Sequence, residues 1–138
     1  MDNFDYTGYI LRYDVLHNTN NIFANGAFES DDGRVVPIIH TGDGHNYCDT
    51  PTHLGYAILE QRADGMVAKC MFADYDAGRI AKELVVYTKE MGLSIYATGI
   101  SYDYSARPVH KILSGRIGAV IIIPMDRMPR PVEEEPNA

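Results

Sequence analysis

Only one stretch of this 138-residue chain carries a helical period. In DAGRIAKELVVYTKEMG, from Asp76 to Gly92, the residues Ile80, Leu84, Tyr87 and Met91 fall at i, i+4, i+7 and i+11. That spacing predicts a helix over about residues 77–91, with Asp76 as a fair N-cap and Gly92 as its stop. The other apolar runs have strand character. They are rich in β-branched and aromatic residues and are divided by turn signals. Parallel strands need long crossover connections, usually helical. Six or seven strands with a single helix leave few such crossovers. The sequence therefore predicts a mainly β, α+β fold, an antiparallel β-barrel of about six or seven strands with one decorating helix.

The strand-like runs are YTGYILRYDV at 6–15, the apolar IFANGAF at 22–28 broken by Asn25-Gly26, and VVPIIH at 35–40. Pro37 lacks an N–H and predicts an edge or irregular position in its strand. GYAILEQRADGMVAKCMF, 55–72, reads as two strands joined at Ala63-Asp64-Gly65, a hairpin signal. LSIYATGISYDY follows the helix. VHKILSGRIGAVIIIP, 109–124, closes the series, its last part apolar enough for full burial.

A hydrophobic share of 46% supports one domain with a real core, expected over residues 1–128. The tail 129–138, MPRPVEEEPNA from Met128 on, has three prolines and three consecutive glutamates and is expected to be flexible. A net charge of −7, with no basic cluster beyond Arg127 to Arg130, argues against a nucleic-acid partner. The longest strongly apolar run, IGAVIIIP, is too short for a membrane helix. Two cysteines, Cys48 and Cys70, make no disulfide framework, and the opening MDNFDYTGY is not a signal peptide. The expectation is a soluble intracellular protein without a membrane partner.

HTGDGHNYCDTPTH, 40–53, holds three of the five histidines and one cysteine. His40, His45, Cys48 and His53 could ligate zinc. Their spacing offers only one short pair, His45 with Cys48, so no metal and no cofactor are expected. No phosphate-binding loop and no Gly-x-Ser-x-Gly elbow is present. A nucleophilic serine needs a base and a group that orients the base. Ser94, just past Gly92, and His40, at the end of VVPIIH, are candidates for the first two roles. The residues alone leave an ordinary strand serine as the alternative.

The order of segments resembles the head maturation (prohead) proteases of tailed phages, serine proteases related in fold to herpesvirus assemblin. TGYILRYDV with NNIFANGAF is similar to the family's opening Gly-Tyr strand and Gly-Ala-Phe segment. VVPIIH resembles the strand that ends in the catalytic histidine. HLGYAILEQRADGMVAKCMF resembles the hairpin after it, and GLSIYATG resembles the stretch that carries the nucleophile. VHKILSGRIGAVIIIP is similar to the family's last strand. The likeness spans roughly residues 7–124.

The resemblance implies an assemblin-like barrel and a serine endopeptidase, with Ser94 as nucleophile and His40 as base. It implies scaffold and capsid proteins as partners, inside or on the assembling head in the host cytoplasm, and a possible homo-oligomer. The acids that family members often carry are missing from NTNNIFAN and GRIGAVIII. Assemblin-type enzymes use a second histidine in that role, so the resemblance implies His110 as the third catalytic residue, with Asn21 and Asp103 as alternatives. The alternative to an enzyme is a non-catalytic decoration or assembly protein built on a protease-derived fold.

Overall fold

The computed structural model describes residues 3–40 and 52–132. Seven strands build one sheet: β1 Tyr6–Arg12, β2 Asn21–Phe23, β3 Val35–His40, β4 Thr52–Arg62, β5 Gly65–Phe72, β6 Met91–Asp103 and β7 His110–Pro124. Their order is β1-β5-β4-β3-β7-β2, with β6 on the other side of β7. The sheet curls into a half-barrel. Single bridges, Tyr13 to Phe23 and Leu16 to Ile22, tie the end of β1 back to β2. The fold is mainly β with one helix, in agreement with the sequence reading.

Two pairings depart from an all-antiparallel barrel, because β2 and β3 both run parallel to β7. The cause lies in the path of residues 21–40. This stretch follows one edge of β7, first as β2 beside His110 to Ile112, then as β3 beside Val120 and Ile121. Between them the chain leaves the ladder through the 3-10 turn Glu29–Asp31. The buried Asp31 carboxylate fills the gap. It accepts the Ile117 N–H at 2.9 Å and binds Arg34 at 2.6 Å, while Arg34 also donates to the Ile117 carbonyl. A side-chain pair thus satisfies backbone groups that a neighbouring strand would otherwise serve. Pro37 pairs only with β4, so its missing N–H leaves no bond to β7 unmade.

The hairpin expected at residues 63–65 forms, with Arg62 paired to Gly65. The helix differs from the expectation. Its α-helical part, α1, is Asp76–Lys82, and a π-helical turn, Glu83–Tyr87, follows. The Thr88 N–H reaches back five residues to the Glu83 carbonyl. That wide turn breaks the 3.6-residue period on which the predicted face depended. Ile80 and Tyr87 lie on the surface, whereas Gly78, Ala81 and Val85 are buried. Small residues let the helix approach closely, and a Cβ on Gly78 would strike the Ala73 carbonyl. Asp76 is the first helical residue and Tyr75 the cap. Lys89, at φ 58°, takes the left-handed position after the helix, so Met91 and Gly92 belong to β6.

The main core lies inside the curl, among Phe28, Ile38, Leu59, Met66, Ile117 and Val120. Cys70 is buried there, as its strand context suggests. A smaller cluster of Ile39, Ala119, Ile121 and Ile123 sits on the other face of β3 and β7, with Tyr96 and Met128 against it. Past the expected boundary at 129 the chain keeps contacts with the body as far as Val132. Pro131 bridges His17, Val132 N–H donates to Leu16, and Asn18 bonds both Met128 and Arg130. Residues 133–138 lie outside the described residues.

Candidate active site

Ser94 is the fourth residue of β6, and its register is fixed by pairing with Ile121 of β7. On the other side of β7, Ile121 pairs with Ile39 of β3. Ile39, Ile121 and Ser94 therefore form one row across three strands. Two strand spacings separate the outer backbones by roughly 10 Å. His40 is the next residue after Ile39 and the last of β3, and it is half-buried. Alternation gives Ser94 the face of Ile39, so the His40 ring must turn around the end of β3 to meet Ser94.

Ser94 is only 2% exposed. It lines a groove of about 360 Å³ together with Ile95, Tyr96, Ile100 and Tyr102 of β6, and with Asn21 and Phe23 of β2. The groove has a mixed lining. Hydroxyls and the Asn21 amide stand among aliphatic and aromatic walls, the composition of many ligand clefts. Gly92, two residues before Ser94, lies against the Met128 side chain, which an added Cβ would displace. The C-terminal stretch thereby covers the start of β6.

His110 opens β7 and faces different neighbours. It pairs with Asn21, and its ring lies 6.1 Å from that of Tyr102. Eleven residues of β7 separate it from Ile121, about 35 Å of extended strand. The structure thus groups His110, Asp103 and Asn21 toward one end of the sheet and brings Ser94 near β3 at the other. Asn21 alone of the three shares the Ser94 groove. Asp103, at the end of β6, is held low in pKa by the Ser105 hydroxyl and backbone N–H. The segment Ser114-Gly115-Arg116, which has the composition of a turn, is internal to β7. A Cβ on Gly115 would come within 2.9 Å of Phe28.

Of the residues weighed as metal ligands, His45 and Cys48 lie outside the described residues. His53 bonds the Tyr75 hydroxyl at 3.1 Å and stacks edge-on against Tyr56. Among the described residues no three His, Cys, Asp or Glu side chains are grouped to hold an ion. No described helix is long and apolar enough to cross a membrane.

Two features escaped the sequence reading. His17 reads as a turn residue in HNTNN, yet it is 1% exposed, with Nε2 accepting the Arg12 N–H and Nδ1 bonded to the Val15 carbonyl. Tyr102 reads as one of many strand tyrosines, yet it lines both the Ser94 groove and a second cavity at the tip of the β6–β7 hairpin. Nothing in local sequence marks either, because both depend on what distant strands bring near. Comparison with family models, with curated proteins and with solved structures returned no match to the chain.

Proposed function

We propose that this chain is a serine endopeptidase of the prohead type, cleaving scaffold and capsid-protein segments during head maturation. It would act in the host cytoplasm, within or on the assembling head. The observation that supports the reading most is the row Ile39–Ile121–Ser94, which sets the end of the His40 strand level with the groove-lining Ser94, two strands away. The segment order in the sequence supports it independently.

In this mechanism Ser94 Oγ attacks the scissile carbonyl carbon as His40 accepts its proton. The tetrahedral oxyanion is held by backbone N–H groups. Its collapse breaks the C–N bond, and His40 returns the proton to the leaving amine. Water, deprotonated by His40, then releases the acyl group and restores Ser94. For the orienting role His110, Asn21 and Asp103 are the candidates, and Asn21 is the one that lines the groove with Ser94. An amide fixes a histidine tautomer without adding charge.

The burial of Ser94 favours a second reading, a non-catalytic assembly component that retains a protease-derived fold. Incubation with the scaffold and capsid proteins of the same phage separates the two. Discrete fragments with the unaltered chain, and none with Ser94→Ala, are expected of the protease. Intact substrates with both, or equal cleavage by both, would overturn it.

A further inference from the structure

The cations of this chain are unevenly satisfied. Arg12, Arg34, Arg62, Lys69, Arg79 and Lys82 each hold a carboxylate on the body of the fold. Among the described residues Arg107, Lys111 and Arg116 hold none, and all three lie on the outer part of the β6–β7 hairpin. Lys89, Arg127 and Arg130 are the other described cations without a carboxylate. Over residues 98–116 those three cations face one acid, Asp103, in a chain of net charge −7. The Asp103 carboxylate is itself engaged, accepting the Ser105 N–H at 3.0 Å and the Ser105 hydroxyl at 2.6 Å.

The same hairpin end frames an open cavity of about 740 Å³ lined by Tyr102, Tyr104, Pro108 and His110, with Arg107 as its one Lys or Arg and Asp103 as its one acid. Tyr104 is 67% exposed, and the Arg107 guanidinium stands 5.3 Å from its ring centroid. Aromatic walls with Arg107 in the lining, and Lys111 and Arg116 on the same hairpin, suit carboxylate side chains flanked by apolar groups, the Asp103 carboxylate being held by Ser105 and facing Lys111 across the strands. Tyr102 joins this cavity to the Ser94 groove along β6. From Ser94 to Tyr102 the strand spans roughly 20–26 Å, the bulges shortening it, or about six to eight residues of extended peptide.

We infer that the hairpin tip is a docking site for an acidic segment of the protein substrate, lying about six to eight residues from the bond cut at Ser94. This inference rests on the serine-endopeptidase reading. A long polyanion such as nucleic acid fits less well, because the rest of the chain is acidic and would repel it.

The test uses the full chain carrying Ser94→Ala and fluorescein-labelled 12-residue peptides, one rich in Glu and Tyr, the other with every Glu replaced by Lys. Fluorescence anisotropy should show the acidic peptide binding at least tenfold more tightly. Arg107→Glu with Lys111→Glu should remove that preference, and Lys89→Glu, on another part of the surface, should keep it. Equal binding of both peptides, or indifference to the double substitution, overturns the inference. Tighter binding of a single-stranded oligonucleotide at the same residues also overturns it. So does self-association in sedimentation runs without peptide, if Arg107→Glu abolishes it. With active chain, an acidic run six to eight residues from the scissile bond should lower KM and leave kcat unchanged, and Arg107→Glu should reverse that gain. Peptide binding without any Ser94-dependent cleavage would leave the dock standing and sink the protease reading. Cleavage indifferent to the acidic run would do the reverse.

Discussion

Ser94 and Ile39 face each other across β7 with only Ile121 between them. The relationship joins residues from segments far apart in sequence, and it depends on β7 having β3 on one edge and β6 on the other. The end of the His40 strand thereby lies level with the start of β6, with β7 between them.

Asp31 is expected to be among the most sensitive positions. Its carboxylate is 1% exposed as part of the residue and holds both the Ile117 N–H and Arg34. Asp31→Ala strands that N–H and a largely covered guanidinium, at an expected cost of about 3 kcal/mol. Urea unfolding should read the loss directly. A change below about 1 kcal/mol would show that the side-chain patch on β7 contributes little.

Gly55 is expected to tolerate no side chain. It sits at the β3–β4 irregularity with φ 151°, and an added Cβ would run into the Met71 carbonyl on β5. Because the obstacle is backbone, relief requires the β4–β5 ladder to move. Gly55→Ala should cost about 3 kcal/mol or more. Gly33→Ala is the control, since its added Cβ meets nothing within 4 Å and only the strain of φ 80° applies. That change should cost about 1–2 kcal/mol, and equal losses would contradict the steric argument.

Alkaline pH should weaken the fold through Cys70. Burial, and then the nearby Asp5 charge, push its thiol up from 9.0 to about 12. A raised pKa favours the neutral thiol in the folded state. Its contribution is therefore whole below pH 9 and is lost as pH rises toward 12. Tyr6 and Tyr13 are raised too, by burial first, and act in the same direction. Melting temperature should fall between pH 9 and 11, and less steeply for Cys70→Ala. Parallel curves for the two chains would show that thiolate burial is not the cause. At pH 8, iodoacetamide should modify Cys70 only after unfolding.

The sequence made the large features legible and hid the joins. Strand runs, the turn at 63–65 and the burial of the closing strand follow from alternation and local turn chemistry, which nearby residues determine. The helix was visible as a period, but its buried face was not. The π-helical turn at Glu83–Tyr87 and the tight approach of Gly78 to Ala73 arise from packing on β4 and β5. Ser94 and His40 could be singled out by segment order. The place of His110 along β7 relative to them could not, because it needs the register of β7 against β3 and β6. The ordered stretch to Val132 also escaped notice, since a proline-rich, acidic composition says nothing of the two hydrogen bonds Asn18 offers it.

Asn18 accordingly offers a check on the C-terminal stretch. Its amide donates to the Met128 carbonyl and accepts the Arg130 N–H. Asn18→Ala removes both bonds from an exposed site and should cost about 1 kcal/mol. Hydrogen exchange at Arg130 and Val132 should rise well beyond that in the core of β7. Unchanged protection there would mean that other contacts hold the strap.

The central claim is that Ser94 is an activated nucleophile, and a fluorophosphonate reagent tests it without knowledge of the substrate. Intact mass with peptide mapping should find one adduct per chain, at Ser94. Labelling should vanish in Ser94→Ala and fall at least a hundredfold in His40→Ala. A chain that stays unlabelled at any reagent concentration, or an adduct at Ser94 whose rate ignores His40→Ala, would contradict the account.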